Sequence, residues 1–359
     1  MSLKDRLIAE ISATGPMTVA QYMTACLHDP RDGYYATRPA LGEDGDFITA
    51  PMISQMFGEL IGLWAVETWR GMGAPPRVVL AEIGPGTGVL MQDALRAARL
   101  DPAFIAAAEL WLIETSAPLI ERQRERLTGG PLEPRWAAAV DDLPSGLPLI
   151  LIGNELLDCL PARQFVRTEA GWAERMVGLS GANALAFGLA APADMGGPAV
   201  NIPPGVVVEI SEAQRVFAAE VAAKIVRDGG AALLIDYGRD QPGGLGDTLQ
   251  ALSRHRKVDP LACPGEADLT VHADFPAVLA EAQAAGVRTA LLAQRAFLQR
   301  LGIEQRAATL SRARPDQAPI IARQLARLID PDQMGDLFKA ACLYSPGGPV
   351  PPGFEDAHD

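Results

Sequence analysis

At 359 residues with 48% apolar side chains, the chain can fill one large core or two ordinary ones, which predicts a globular protein. Its 44 acids against 31 bases leave a net charge of −13, which excludes nucleic acid as a partner unless the bases gather on one face; Arg312, Arg314, Arg323 and Arg327 instead lie along helical stretches with acids nearby. Cys26, Cys159, Cys263 and Cys342 stand far apart, and His28, His255, His272 and His358 lack ligand spacing, which predicts free thiols in a reducing compartment and no metal site.

The chain opens on Met1-Ser2-Leu3-Lys4-Asp5, without an apolar signal core, and no apolar run approaches the roughly 20 residues of a membrane span. A cytoplasmic location without membrane insertion is expected. Helix-spaced apolar positions predict helices over 3–12 and 19–27, the second with Thr18 as N-cap. An irregular, Gly-rich stretch follows, from Asp29-Pro30 and Gly33-Tyr34-Tyr35 to Gly45-Asp46-Phe47-Ile48-Thr49-Ala50-Pro51. Its aromatics and acids suit either a lid over a site or a cap that only packs. A long helix is predicted over 54–69, stopped by the glycines and prolines of 71–76.

From Arg77 onward, strand-like runs at 78–83, 110–113, 133–137, 149–153, 231–236, 289–292 and 339–344 alternate with helical patterns at 90–99, 119–127, 211–227 and 275–285. That order is α/β with a parallel sheet. The most informative junction is Glu82-Ile83-Gly84-Pro85-Gly86-Thr87-Gly88, where a strand passes through three alternating glycines into a helix, as backbone does when it must approach a nucleotide-like ligand. A dinucleotide turn of the G-x-G-x-x-G type wants a small residue at position 89 and finds Val89; a P-loop needs Gly-Lys-Ser/Thr, and no lysine follows. What stands here is an acid two residues before the first glycine, where methyltransferases that use S-adenosylmethionine face the cationic end of their cofactor. Glu114, ending the next strand, is suited to accept both ribose hydroxyls, at a separation from Gly84 longer than the roughly 20 residues of dinucleotide folds.

Two stretches interrupt the alternation. Residues 164–201 read as small antiparallel strands, and residues 238–274 form a polar, Gly/Pro-rich run long enough to suggest function. The expected division is an N-terminal helical cap and lid over 1–76, a core over 77–163 and 202–345, the small inserted strands over 164–201, the long insertion over 238–274 and a tail over 346–359.

Taken in order, several motifs give the chain a resemblance to a known family. They are Asp29-Pro30 with Gly33-Tyr34-Tyr35, Gly45-Asp46-Phe47-Ile48-Thr49-Ala50-Pro51, Ser54-Gln55-Met56-Phe57-Gly58-Glu59, the turn over 82–88, and Asn154-Glu155-Leu156-Leu157-Asp158 with Leu160-Pro161. Ile235-Asp236-Tyr237-Gly238 and Asp259-Pro260 with Gly265-Glu266-Ala267-Asp268-Leu269-Thr270 complete the set. The chain resembles the MidA-like S-adenosylmethionine-dependent methyltransferases, which include the mitochondrial complex I assembly factor that methylates arginine. The resemblance implies a class I methyltransferase-type, doubly wound sheet of seven strands with the last antiparallel. It also implies an arginine side chain of a protein as acceptor, in that relative on the complex I subunit homologous to the large hydrogenase-like subunit. Met52 departs from the pattern, standing where an acid is expected.

Methyl transfer is an in-line displacement, so the enzyme must place a nucleophile about 3 Å from the methyl carbon. Guanidinium nitrogens are poor nucleophiles, and carboxylates at strand ends are suited to hold the group and localise its charge. Glu155, with Asn154 and Asp158, is the expected catalytic set, although Asn154-Glu155 also suits the cap of a following helix. Asp236, Glu266 and Asp268 are secondary candidates. Cofactor contacts are expected from Glu82, Gly84, Gly86, Gly88 and Glu114, with Trp136 and Asp141 at the adenine and Thr49 and Ser54 at the methionine end if the N-terminal loop is a lid. Two alternatives stay open: a small-molecule methyltransferase, and an assembly factor that binds the cofactor without catalysis.

Overall fold

Apolar runs with few charges become the inner strands of a sheet. In the computed structural model, which describes residues 1–37, 49–181, 184–192, 202–253 and 256–355, these runs are β1 (Val78–Ile83), β2 (Ala108–Ile113), β3 (Arg135–Ala137), β4 (Leu149–Asn154), β5 (Gly230–Arg239), β6 (Arg288–Ala293) and β7 (Phe338–Tyr344). They lie in the order β6-β7-β5-β4-β1-β2-β3. The pairs from β5 to β3 are parallel, and β7 runs antiparallel to both β5 and β6. This is the seven-stranded order with a reversed last strand that the resemblance implies. Leu80, Leu110, Ile150, Leu233 and Ala340 are all nearly inaccessible at its centre.

The described chain divides into two compact units, Met1–Phe47 with Leu157–Arg215 and Arg239–Pro276, and Ile48–Leu156 with Val216–Gly238 and Ala277–Asp359. The second unit holds the parallel sheet and three helices that matter for the site, α1 (Gln55–Gly71), α2 (Val89–Ala98) and α3 (Ala117–Leu127). Helix α1 is buried along most of its length, including Trp64 and Phe57. It meets α2 backbone to backbone: a Cβ on Gly58 would lie 2.6 Å from Cβ of Asp93, and one on Gly62 would overlap the backbone of Ala94. The motif over 54–59 is therefore structural in its second half. Glu59 adds to this, its buried carboxylate accepting from Arg96 Nη2 at 3.1 Å and Arg306 Nε at 2.7 Å.

The first unit contains helices Leu3–Thr14 and Val19–His28, the latter capped by Thr18, whose hydroxyl accepts from the Gln21 N–H at 3.1 Å. Strands Arg163–Thr168, Gly171–Leu179 and Leu185–Leu189 form antiparallel pairs, as the residue pattern of the first insertion predicts. The second insertion carries three short strands, Gln250–Ser253 between Arg256–Val258 and Asp268–Thr270. The Asp29-Pro30 motif has a packing role, since the Asp29 carboxylate takes two hydrogen bonds of 2.8 Å from the Arg6 guanidinium, which hold its carboxyl well below the usual range. Of the stretch from Asp29 to Pro51 expected as a lid, residues 38–48, with Gly45-Asp46-Phe47-Ile48 among them, lie outside the described residues. Among the described residues no helix is long and apolar enough to cross a membrane.

Candidate active site

Chain order reverses between β1 and β4: from β1 the chain winds outward through β2 and β3, then crosses to the other side at β4. In parallel sheets the crevice outside the carboxyl ends of such a pair is where ligands bind. Residues 82–88 leave β1 there, and Asn154 and Glu155 leave β4 there. The two strand ends approach closely, since a Cβ on Gly84 would lie 3.2 Å from Cδ1 of Leu156.

Glu82 belongs to a strand that is apolar on both faces, and it is only 3% exposed. Its Oε2 has no hydrogen-bond partner among the described residues, and burial pushes the carboxyl up to about 8. A buried acid in that condition is receptive to a cation, which would both pair with it and satisfy its oxygen. Gly84, Gly86 and Gly88 follow with φ of 62°, 54° and 78°, a left-handed series that side chains with a Cβ resist. The turn is closed by Gly84 N–H donating to Ile113 O at 3.1 Å and Gly88 N–H to Pro85 O at 2.8 Å.

At the end of β2, Glu114 is half-buried, and its Oε1 accepts from the backbone N–H groups of Thr115 and Ser116, both at 2.8 Å. Burial raises its carboxyl above the ordinary value, and those bonds oppose the rise. Trp136 in β3 is half-buried, with the Arg124 guanidinium 4.8 Å from its ring centre. Asp141 is exposed in the turn Val140–Asp142, where its neighbour Asp142 receives the N–H groups of Ala138 and Ala139 at 3.2 and 3.0 Å.

A residue absent from the sequence-based set joins these pieces. The Gln123 side chain, fully buried on α3, donates from Nε2 to Gly86 O at 2.8 Å and to Glu114 Oε2 at 3.2 Å, and accepts at Oε1 from Trp136 Nε1 at 2.8 Å. A sequence signal existed. Leu119, Gln123 and Leu127 fall at i, i+4 and i+8, so a polar residue stands on the apolar stripe of the helix.

At the end of β4, Glu155 adopts φ 53°, one of two non-glycine residues with positive φ among those described. A glutamate held there carries roughly 1 kcal/mol or more of backbone strain. It is pinned by its N–H donating to Ile235 O at 2.8 Å, and by its Oε1 accepting from Asn154 Nδ2 and Ala50 N–H, both at 3.0 Å. The alternative in which Asn154-Glu155 caps a helix is not met, because no helix starts there and the backbone turns left-handed instead. Asn154 Oδ1 is buried and has no hydrogen-bond partner among the described residues.

The remaining candidates distribute differently. Thr49 precedes the short helix Ala50–Ile53 without a side-chain capping bond, whereas Ser54 spends its hydroxyl capping α1, accepting from Met56 N–H at 3.3 Å. Asp158 belongs to the other unit, where it is buried and its backbone carbonyl accepts from Val271 N–H at 2.9 Å. Asp236 is fully buried, with Oδ1 accepting from Tyr237 N–H at 2.8 Å. Asp268 accepts from the Tyr35 hydroxyl at 2.9 Å, and Glu266 is exposed.

Residues present in the second unit therefore fit S-adenosylmethionine: a buried acid with one oxygen unpartnered among the described residues, suited to an ammonium, a left-handed glycine turn, and an acid at the next strand end suited to a ribose. The comparisons agree. Residues 60–292 match the family described as "Putative S-adenosyl-L-methionine-dependent methyltransferase". Protein arginine methyltransferase NDUFAF7, mitochondrial, is 33% identical over 94% of this chain and 86% of its own length in Danio rerio, and 34% identical over 94% and 82% in Homo sapiens. A crystallised superfamily member from Burkholderia thailandensis bound to S-adenosyl-homocysteine superimposes with a TM-score of 0.87 at 28% identity, covering 99% of this chain and 95% of that one. The expectation of a cytoplasmic location is overturned by these relatives, which are mitochondrial by name. Composition misled here because free cysteines and scattered polar residues suit any reducing compartment, the cytoplasm being one of several. Family, fold and site geometry agree, and the chain belongs to the S-adenosylmethionine-dependent methyltransferases.

Proposed function

We propose that this methyltransferase modifies an arginine side chain of a protein, and that the protein is the respiratory complex I subunit homologous to the large hydrogenase-like subunit. The reading is supported by the relatives named protein arginine methyltransferase NDUFAF7, which match 92–96% of this chain. The observation that carries it is Asn154 Oδ1, a buried acceptor without a donor among the described residues, next to the carboxylate of a strained Glu155. A guanidinium is donor-only and planar, so a pair of adjacent acceptors at a strand end suits it better than it suits a hydroxyl or thiol acceptor.

Bound S-adenosylmethionine supplies an electrophilic methyl group on a sulfonium. Glu82 would hold the ammonium, Gly84, Gly86 and Gly88 would admit the backbone close to the ligand, and Glu114 would take the ribose hydroxyls. Trp136 and Asp141 would flank the adenine. Thr49 would border the methionine end, with Ser54 fixing the helix start beside it. Glu155 would hold the guanidinium, localise its charge on one nitrogen and accept the proton released as the other nitrogen is methylated, with Asn154 fixing the plane of the group.

Mass spectrometry of complex I subunits from cells with and without the protein tests the acceptor, alongside methyl incorporation from labelled cofactor by the purified enzyme. A methylarginine that disappears with the protein and returns with the parent enzyme, but not with Gly86→Val, is the expected result. An unchanged subunit together with methyl transfer to a small molecule would replace the protein acceptor. Cofactor binding with no transfer to either would favour a non-catalytic assembly factor.

A further inference from the structure

We infer that Gln123 is the positioning residue of the cofactor half of the site, a single amide that sets the glycine turn, the ribose acid and the aromatic wall in one arrangement. The inference rests on assigning residues 82–88 and Glu114 to the cofactor. Its basis is hydrogen-bond logic. The indole N–H of Trp136 only donates, and the Gly86 carbonyl and Glu114 carboxylate only accept, so the amide has one possible orientation: Oε1 toward Trp136, Nε2 toward the other two. Those three partners come from the segments leaving β1 and β2 and from β3 itself, so one side chain ties three consecutive strands at the end where the glycine turn lies.

Two consequences follow from the geometry. The Gly86 carbonyl points at Gln123, and the next carbonyl, of Thr87, accepts from Arg126 Nε at 2.8 Å, one turn further along α3. Because the peptide is trans, drawing the Gly86 carbonyl toward α3 turns the Thr87 N–H to the opposite side. Glu114, for its part, is oriented by three neutral donors, the N–H groups of Thr115 and Ser116 and the Gln123 amide. A cation in place of the amide would also orient the carboxylate, but would consume its charge. A neutral donor keeps the acid available to two hydroxyls.

The test uses the full-length enzyme and S-adenosylhomocysteine binding by calorimetry, with steady-state kinetics. Gln123→Met keeps the volume and removes all three bonds; loss of hydrogen bonds to a charged group predicts about 10- to 100-fold weaker binding. The KM for cofactor should rise in the same proportion while kcat at saturation stays within about threefold, a split that general loosening of the core would not give. Gln123→Glu keeps the shape but sets a carboxylate against the Gly86 carbonyl and Glu114. Its deficit relative to the parent enzyme at the same pH should be largest at pH 8 and shrink toward pH 6, as protonation restores one donor. If Gln123→Met does not fold, this pH trend within Gln123→Glu carries the test.

Binding within twofold of the parent in both variants, or a fall in kcat with KM unchanged, would overturn the inference. Glu114→Gln serves as reference. If Glu114→Gln binds like the parent, the cofactor assignment fails; if it weakens binding and Gln123→Met does not, only the role of Gln123 fails.

Discussion

Two acids leave neighbouring strands of one sheet, and the structure treats them in opposite ways. Glu82 sits on unstrained strand backbone, with the glycines after it absorbing the positive φ values, and its side chain has an oxygen without a donor. Glu155 takes the positive φ itself, and its side chain is held by a backbone N–H and an amide. One acid is comfortable in its main chain and unsatisfied in its carboxylate; the other is the reverse. On the roles proposed above, the contrast separates two tasks. A group that recognises a cation gains by waiting unpaired, whereas a group that aims a nucleophile gains by being fixed before the substrate arrives.

The largest expected effect breaks the comparison at its catalytic end. Glu155→Ala should lower kcat by about 100-fold or more, the range for a group that holds and deprotonates a nucleophile, while leaving the affinity for S-adenosylhomocysteine within about twofold. Equal losses in kcat and cofactor affinity would mean that the two strand ends do one job.

Next comes Glu82, whose carboxyl titrates near 8 instead of the ordinary 4.5 because it is buried. Below about 8 the ligand-free acid carries a proton that cation binding must expel. Affinity for S-adenosylmethionine should therefore rise as pH increases from 6 to 8, by no more than tenfold per unit, and then level off. Calorimetry in two buffers of different ionisation enthalpy should detect close to one released proton at pH 6.5. Glu82→Gln should weaken binding about 10- to 100-fold and flatten this pH profile. The same raised value has a sign for stability: between 4.5 and about 8 the folded, ligand-free chain holds a proton that the unfolded chain has released, so this contribution to stability falls as pH rises.

The smallest effect sharpens the reading of strain. Ala74 is the other described non-glycine residue with positive φ, at 51°, and it lies exposed in the turn after α1 with its N–H bonded to Trp69 O at 3.0 Å. Ala74→Gly should raise stability by about 0.5–1 kcal/mol in thermal unfolding and leave methyl transfer unchanged. If relief of strain at this ordinary turn also altered activity, strain at Glu155 would lose its special meaning.

Much of this was legible in the residue pattern. The strands β1 to β7 match the residue pattern to within about three residues, because buried parallel strands are apolar runs bounded by turn residues, whereas the short strands Val207–Ile210, Gln250–Ser253 and Ala273–Asp274 carry no such signal. The glycine turn was legible because alternating glycines mark backbone that needs positive φ. What escaped was whatever depends on a neighbour far along the chain. Gln123 stands between Arg122 and Arg124 and looks solvated until α3 docks and turns it inward.

The joint between α1 and α2 has a consequence for how this enzyme can change. Glycines 58 and 62 bring α1 against the Asp93 Cβ and the Ala94 main chain of α2, so the spacing of the two helices is set by atoms that no rotamer can move. Helix α1 starts just after Ala50, which steadies Glu155, and α2 starts at the glycine turn. On the proposed assignment, the joint is in effect a gauge block between the end that would present the methyl donor and the end that would present the acceptor. A methyl group added at either glycine, remote from both ligands, would miscalibrate the distance over which the reaction has to occur.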